Sequence, residues 1–148
     1  MNQKSRVIGT TIEAIRAAET DLGRALPPSF ADWLLANNSK CVEDVTIFPV
    51  FDAREPRKTW DSIVRHFNEE WQEWQKNFSG TSLDFSQLLP FGEFGTGDYY
   101  CFDYANPAGD GEIGVVLWSH ETGETSLVAD NFLEFVERLE NGEIDDLA

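Results

Sequence analysis

The stretch from Leu88 to Tyr104, LLPFGEFGTGDYYCFDY, combines three glycines, three acids and six aromatic residues without a basic side chain. A phosphate-binding loop needs its glycines between a strand and a helix, so that backbone N–H groups at the helix start converge on the anion. Here the glycines precede the strand-like run DYYCFD, and no Lys-Ser/Thr pair follows. We therefore interpret Gly92, Gly95 and Gly97 as turn residues that supply positive φ angles, with Asp98 ending the turn.

Carboxylate pairs are the second chemistry that this stretch suggests. Asp98 and Asp103 flank aromatic residues, which can raise a carboxyl pKa into the range of a general acid. Along a strand, however, these two residues lie on opposite faces and roughly 16 Å apart. Asp103 with Asp110 and Glu112 resembles a cation loop, but alanine and proline occupy alternate positions where calcium needs oxygen ligands. A solvated turn is favoured, and a hydrolase using Asp103 with Asp110 or Glu112 is a minor alternative.

The remaining nucleophile, base and metal-ligand candidates are scattered. We interpret His66, on a helix, and His120, at the rim of a hairpin, as isolated structural histidines. Neither a Gly-x-Ser-x-Gly elbow nor an HExxH motif occurs. Cys41 and Cys101 lack the spacing of a zinc site or a redox pair, and both are expected to be small, buried thiols. The sequence thus predicts no catalytic residue, no metal site, no cofactor and no enzymatic activity.

Charge is distributed very unevenly along the 148 residues. The formal net charge is −16, of which residues 1–76 carry −2 and residues 77–148 carry −14, with Arg138 as the only basic residue of the second half. Nucleic acid and anionic lipid both require Lys and Arg for binding, so neither is an expected partner. A basic protein partner is one interpretation. The other is that the acidic surface only keeps the protein soluble.

The length and the 41% hydrophobic content predict one globular domain spanning residues 1–148. No signal-peptide pattern and no membrane-spanning stretch is recognisable, so we expect a cytoplasmic location.

Helical patterns occupy the N-terminal part of the chain. A first helix, capped by Thr10 or Thr11 and ended by Gly23, is predicted from apolar residues at helical spacing, namely Ile8, Ile12, Ile15, Ala18 and Leu22. A second helix begins at Pro27-Pro28 and ends at Asn37-Asn38, with Phe30, Trp33 and Leu34 as its buried stripe. The run VEDVTIFPVFD follows as a first strand, whose proline indicates a sheet edge.

A long aromatic helix is predicted next, in TWDSIVRHFNEEWQEWQKNF. Thr59 is its expected N-cap. Its apolar stripe consists of Trp60, Ile63, Val64, Phe67, Trp71, Trp74 and Phe78. Such a stripe could be a ligand platform, but a face that covers a sheet is the favoured interpretation.

Short strands separated by turns follow from Leu88. The runs LLPFGEF, DYYCFDY, EIGVVLWSH and ETSLVA have connections too short for anything but antiparallel neighbours. A final helix is capped by Asp130 or Asn131 and ends at Gly142; its expected buried residues are Phe132, Leu133, Phe135, Val136 and Leu139. These elements predict an α+β fold: N-terminal helices, then a central antiparallel sheet of about four to six strands covered by the aromatic helix and a C-terminal helix.

The order and spacing of three segments resemble the SUKH superfamily, the Smi/Knr-like group of bacterial immunity proteins and fungal cell-wall regulators. The segments are LGRALPPSFADWLLANN, LLPFGEFGTGDYYCFD and GVVLWSHETGETSLVADNFLEFVERLENGE, and the likeness runs from about Ile12 to Glu143. The resemblance implies a non-enzymatic α+β domain that binds and blocks a cognate toxin, often a nuclease or deaminase. The fungal branch suggests the alternative of a regulatory or scaffolding module.

An acidic surface suits a toxin of this kind, because a nuclease presents Lys and Arg to the phosphates of its substrate. The predicted partner is therefore a basic toxin protein, while its identity and the oligomeric state of the chain stay open. The predicted contact residues are exposed acids and aromatics near the sheet loops: Glu93, Asp98, Tyr99, Asp103, Asp110, Glu112 and Glu121.

Overall fold

A computed structural model describes residues 7–93, 95 and 97–144 of the chain. The helices of this part are α1 (Ile12–Leu22), α2 (Pro28–Asn37), α3 (Pro56–Thr59), α4 (Ile63–Asn68), α5 (Glu70–Lys76) and α6 (Phe132–Glu140). The strands are β1 (Cys41–Val42), β2 (Val45–Ile47), β3 (Leu88–Glu93), β4 (Tyr99–Gly109), β5 (Glu112–Trp118) and β6 (Thr125–Ala129). The predicted α+β class is confirmed.

The six strands form one antiparallel sheet in the order β1-β2-β3-β4-β5-β6, so every strand pairs with its neighbours in sequence. The predicted first strand corresponds mainly to β2. It is not an edge strand, because the two-residue strand β1 pairs with it on the side away from β3. The predicted connection ANPAGDG lies largely within β4, which continues to Gly109 and leaves only Asp110 and Gly111 as the turn. Bulges in the β4–β5 pairing accommodate this extension.

Helices cover both faces of the sheet. On one face Phe102 of β4 stacks on Phe91 of β3, and Phe30 of α2 and Phe132 of α6 pack against them. On the other face Trp118 of β5 packs edge-on against aromatic rings from α5 and from the segment before β3. This double cover explains why β4 and β5 contain nearly continuous apolar runs instead of an alternating pattern.

The ends of the terminal helices agree with their predicted caps. Thr11 caps α1 by accepting a hydrogen bond from the backbone N–H of Ala14, and Gly23 ends it with φ of 76°. Asn131 caps α6 in the same manner. The apolar faces are less buried than predicted: Ile8, Ile12 and Leu133 are exposed, and Ile8 precedes α1.

The prediction of one long aromatic helix is wrong. Thr59 ends α3 and its hydroxyl accepts a hydrogen bond from the backbone N–H of Asp52, so it cannot cap the following helix. Ser62 caps α4 instead. The backbone then leaves helical geometry at Glu69 (φ −116°, ψ −82°), which divides α4 from α5. Trp60, predicted to be buried, is exposed before α4 begins.

Two further predictions about single residues need correction. Cys101 is buried as expected, but Cys41 is exposed on the edge strand β1, whose alternation turns Val42 inward and Cys41 outward. Gly95 and Gly97 have the predicted positive φ angles, of 92° and 99°, whereas Gly92 lies within β3 beside a register shift and does not.

Candidate functional site

Three of the hairpin turns lie at the same end of the strands. Thr46, Glu93, Tyr99, Trp118 and Thr125 form one row of register partners across β2 to β6. The β1–β2, β3–β4 and β5–β6 turns follow this row on the same side, and the row spans about 19 Å at the usual strand spacing. The β4–β5 turn lies at the opposite end of the strands.

These three turns carry a concentration of carboxylates. Residues 43–44, 93–98 and 119–124 contain no Lys or Arg. We call their six acids the acidic turn edge: Glu43, Asp44, Glu93, Asp98, Glu121 and Glu124. Because opposing positive charges are absent from these turns, this edge is a candidate surface for a cationic partner.

The predicted contact residues do not all lie at the same end of the strands. The structure brings Glu93, Asp98, Tyr99 and Glu121 together at the acidic turn edge. The other three do not join them: Asp103 lies midway along β4, and the β4–β5 turn with its flanking strand residue holds Asp110 and Glu112. About 30 Å of strand separates the two ends of β4.

Sequence reasoning missed three members of the acidic turn edge. Glu43 and Asp44 form the two-residue β1–β2 turn, and Glu124 precedes β6. Glu-Asp is not one of the residue pairs that mark a two-residue hairpin turn, and strands of two and three residues give hardly any alternation to detect.

Asp98 connects two turns of the acidic turn edge. Its Oδ1 accepts a hydrogen bond of 2.9 Å from the backbone N–H of His120, and the His120 ring Nδ1 contacts the same oxygen. The ring also packs edge-on against Trp74. These contacts hold the β3–β4 turn against the β5–β6 turn, so His120 has partners and is not the isolated histidine that we predicted.

Burial shifts the titration of two residues in the register row. Burial raises the pKa of the Glu93 carboxyl, and the nearby Asp61 and Glu70 carboxylates raise it further against the opposing effect of His66. Burial also raises the pKa of Tyr99 to about 12, with Glu93 adding to the shift.

The prediction that Tyr99 is an exposed contact residue is wrong. Its side chain is 4% exposed, and its ring contacts Phe48, Trp71 and Trp118. The alternation of β4 points it towards the face that α4 and α5 cover. The Tyr99 ring therefore packs in the core below the acidic turn edge and is not part of its exposed surface.

Glu112 is engaged inside the molecule. Its carboxylate accepts hydrogen bonds from the backbone N–H and the hydroxyl of Ser29, at 2.9 and 2.7 Å. Ser29 lies in the first turn of α2, whose N-cap residue Pro27 offers no side-chain acceptor. Glu112 therefore supplies the missing helix cap from a neighbouring strand.

Asp103 lines a shallow groove next to the acidic turn edge. The groove has a volume of about 500 Å³, and its acidic lining residues are Asp84, Asp103 and Glu124. Asp103 Oδ1 accepts a hydrogen bond from the backbone N–H of Ala105. Asp103 and Glu112 are not strand partners, since they pair with Gly114 and Gly109 respectively, so the structure does not assemble them as an acid–base pair.

His66 also has partners, contrary to its predicted isolation. It is buried on α4, between the carboxylates of Asp61 and Glu70. These three side chains form the only group of three or more potential metal ligands in the described part of the chain. Glu70 follows His66 by four residues, a spacing that makes the two side chains neighbours on the predicted helix as well, so this pair was detectable from the sequence.

The fold defines a class of protein: a small α+β domain built on an antiparallel meander that helices cover on both faces. A family model described as the SMI1 / KNR4 family (SUKH-1) matches residues 9–138. The chain belongs to this family. A search of curated proteins found no match. Every helix in the described residues is too short or too polar to cross a membrane.

Proposed function

We propose that this protein is an immunity protein, which binds a cognate toxin and covers the toxin's active site with the acidic turn edge. The main support is the observation that three turns at one sheet edge carry six carboxylates and neither Lys nor Arg. Its membership of the SMI1 / KNR4 family is consistent with this role. The chain would act as a single cytoplasmic domain that needs no cofactor and binds neither nucleic acid nor membrane.

A nuclease is the toxin class that fits this surface best. Such an enzyme must present Lys and Arg to the phosphates of its substrate, so its active site is a cationic surface. An anionic edge of about 19 Å can occupy that surface, and charge attraction accelerates the encounter. Binding of this kind weakens as ionic strength rises.

The contact residues of this proposal are the exposed acids of the acidic turn edge, foremost Glu121 and Glu124, with Asp103 at the adjoining groove. Asp110 lies at the far edge and Glu112 caps α2, so both are secondary candidates. The same separation argues against the hydrolase alternative, because its carboxylates do not share a site.

The experiment uses the reading frame next to this gene. Where that frame encodes a large secreted protein, its basic C-terminal domain is co-expressed with this chain in a bacterial host. We expect the chain to restore growth, and we expect the purified pair to bind less tightly at 0.5 M than at 0.05 M NaCl. The double variant Glu121→Lys/Glu124→Lys should lower the affinity at least tenfold.

The matched control makes the same charge change elsewhere. Asp21→Lys/Asp32→Lys alters two exposed acids on α1 and α2 and should leave the affinity within about twofold. An equal loss in both double variants, or affinity that does not respond to salt, would contradict the proposal. Binding to a host protein without rescue from any toxin would support the regulatory alternative instead.

A further inference from the structure

Asp61, His66 and Glu70 converge beside the bend between α4 and α5. One donor atom from each side chain lies within 4.8 Å of the others. His66 Nε2 is 3.0 Å from Asp61 Oδ2, and His66 Nδ1 is 3.3 Å from Glu70 Oε2. The imidazole thus has a carboxylate oxygen next to each of its two nitrogens.

The ring of His66 is held firmly but lacks hydrogen bonds. It is 3% exposed and stacks on Phe48 with a centroid distance of 3.7 Å. Neither ring nitrogen makes a hydrogen bond of acceptable geometry with any residue that the structure describes. A neutral imidazole has only one N–H and so cannot donate to both carboxylates. A cation bound between ring and carboxylates would satisfy the nitrogen lone pair and the two anionic oxygens together.

Arg65 orients the two carboxylates towards the ring. Its Nη1 donates to Asp61 Oδ1 at 2.9 Å and to Glu70 Oε1 at 3.0 Å. The second oxygen of each carboxylate therefore faces His66. Outer partners of this kind are typical of metal sites, where they fix the direction of the ligands.

We propose that Asp61, His66 and Glu70 form a binding site for one divalent transition-metal ion of the zinc type. An imidazole with two carboxylates favours zinc over calcium or magnesium, which prefer oxygen ligands alone. Two ligand atoms that each lie about 2.1 Å from a tetrahedral ion are about 3.4 Å apart, so the 3.0 Å between Nε2 and Oδ2 would widen by about 0.4 Å to admit zinc. The Glu70 side chain is 40% exposed, and it would become the third ligand by a rotation that exchanges its contact with Arg65 Nη1 for the ion.

A bound ion would connect the turn before α4 to the first turn of α5. That link would reinforce the bend at Glu69 and, through Phe48, the support beneath Tyr99. An ion that binds only the folded chain stabilises it according to its concentration relative to its Kd. The proposal therefore predicts metal-dependent stability, independently of any toxin.

The test uses the full chain with Cys41→Ser, because the exposed Cys41 thiol is a competing zinc ligand. After treatment with a chelator, the protein is titrated with zinc by calorimetry and followed by thermal unfolding. We expect one saturable site per chain and a higher Tm with zinc, but no comparable shift with calcium. Absence of saturable zinc binding would overturn the proposal.

Variants then locate the ion. Glu70→Gln and Asp61→Asn change exposed side chains and should each weaken zinc binding at least tenfold. Glu73→Gln is the matched control, since Glu73 lies on the same helix and is 72% exposed. His120→Asn removes the only other histidine and should leave zinc affinity unchanged. Unchanged affinity in both ligand variants, or an equal loss in the control, would refute this location.

Discussion

Glu112 illustrates at the residue scale how one carboxylate can serve a helix that begins without its own cap. Two hydrogen bonds join this β5 residue to Ser29, and the first turn of α2 itself contains no acid. We expect Glu112→Ala to lower the free energy of unfolding by about 1–2 kcal/mol, because it leaves the Ser29 N–H without an acceptor. Urea denaturation measures this loss.

The control for this prediction is Glu121→Ala, which removes an exposed carboxylate in the β5–β6 turn and should change stability by less than about 0.5 kcal/mol. Ser29→Ala completes a double-mutant cycle, in which the two substitutions should be strongly non-additive. Additive effects would show that Glu112 stabilises the chain by another route.

Asp52 is the residue whose protonation should matter most for folding. Its carboxylate is 5% exposed and accepts hydrogen bonds from Thr10 and from the backbone and guanidinium of Arg54. The Arg54 side chain is the main reason that the pKa of Asp52 lies far below its ordinary value of 3.8. A lowered pKa contributes stability that is complete above pH 4 and is lost as the pH falls further towards the folded-state pKa.

We therefore expect Asp52→Asn to cost about 2–4 kcal/mol of unfolding free energy at pH 7 and progressively less below pH 4. Denaturation curves from pH 7 down to pH 2.5 test both parts. Asp21→Asn, at an exposed position of α1, should cause little change at any pH. A cost for Asp52→Asn that is equal at pH 7 and pH 2.5 would contradict the linkage to this carboxylate.

At the element scale, the β3–β4 turn contains a natural pair of positions for comparison. Gly95 and Gly97 both have φ near +95°, but only at Gly97 would a Cβ atom approach the His120 ring, at 3.2 Å. Both alanine variants should lose about 1–2 kcal/mol through the strained backbone, and Gly97→Ala should lose more because it also pushes on His120. Equal losses in urea denaturation would mean that His120 moves away without cost.

The caps of the first and last helices were predictable because their signals are local. Thr11, Gly23 and Asn131 act within one or two turns of their own position, so sequence spacing identified Gly23 and narrowed each N-cap to two adjacent residues. The bend at Glu69 was not predictable, because apolar spacing continues across a bend as it does along a straight helix. Nor was the burial of Tyr99, which depends on rings from three distant segments.

The candidate surface was only half predictable for a related reason. The acids of the turns were evident, but their grouping depends on strand order and register. In a six-stranded meander, successive turns lie at opposite ends of the strands. This arrangement separates Glu93 and Glu121 from Asp110, although all three were expected to act together. Of the partners of His66, Glu70 was detectable from its helical spacing, whereas Asp61 precedes α4 and was not.

At the scale of the whole molecule, the net charge of −16 opposes compaction. Acids of the turn edge contribute to this repulsion, because they are grouped on three turns whose own residues include neither Lys nor Arg. A surface selected only for solubility would gain nothing from such grouping. A surface selected to attract a cationic partner would retain it at a cost in stability.

This difference yields a paired prediction for Glu121→Lys/Glu124→Lys. At low salt we expect the variant to have a higher Tm than the parent and a free energy of unfolding that is larger by about 0.5–1 kcal/mol. The reason is that two charges that repel the other acids of the turn edge are replaced by two that attract them. The same variant should bind the toxin domain more weakly. Thermal unfolding at 0.02 M and 0.5 M NaCl should show the gain shrinking as salt screens it.

The control Asp21→Lys/Asp32→Lys changes the net charge by the same amount at positions outside the acidic turn edge. It should gain less stability at low salt and keep its affinity for the toxin domain. Equal gains in the two variants would mean that the carboxylates of the turn edge repel one another no more than surface acids elsewhere. In that case their grouping would provide no argument for a binding role, and the function would have to be sought at another surface.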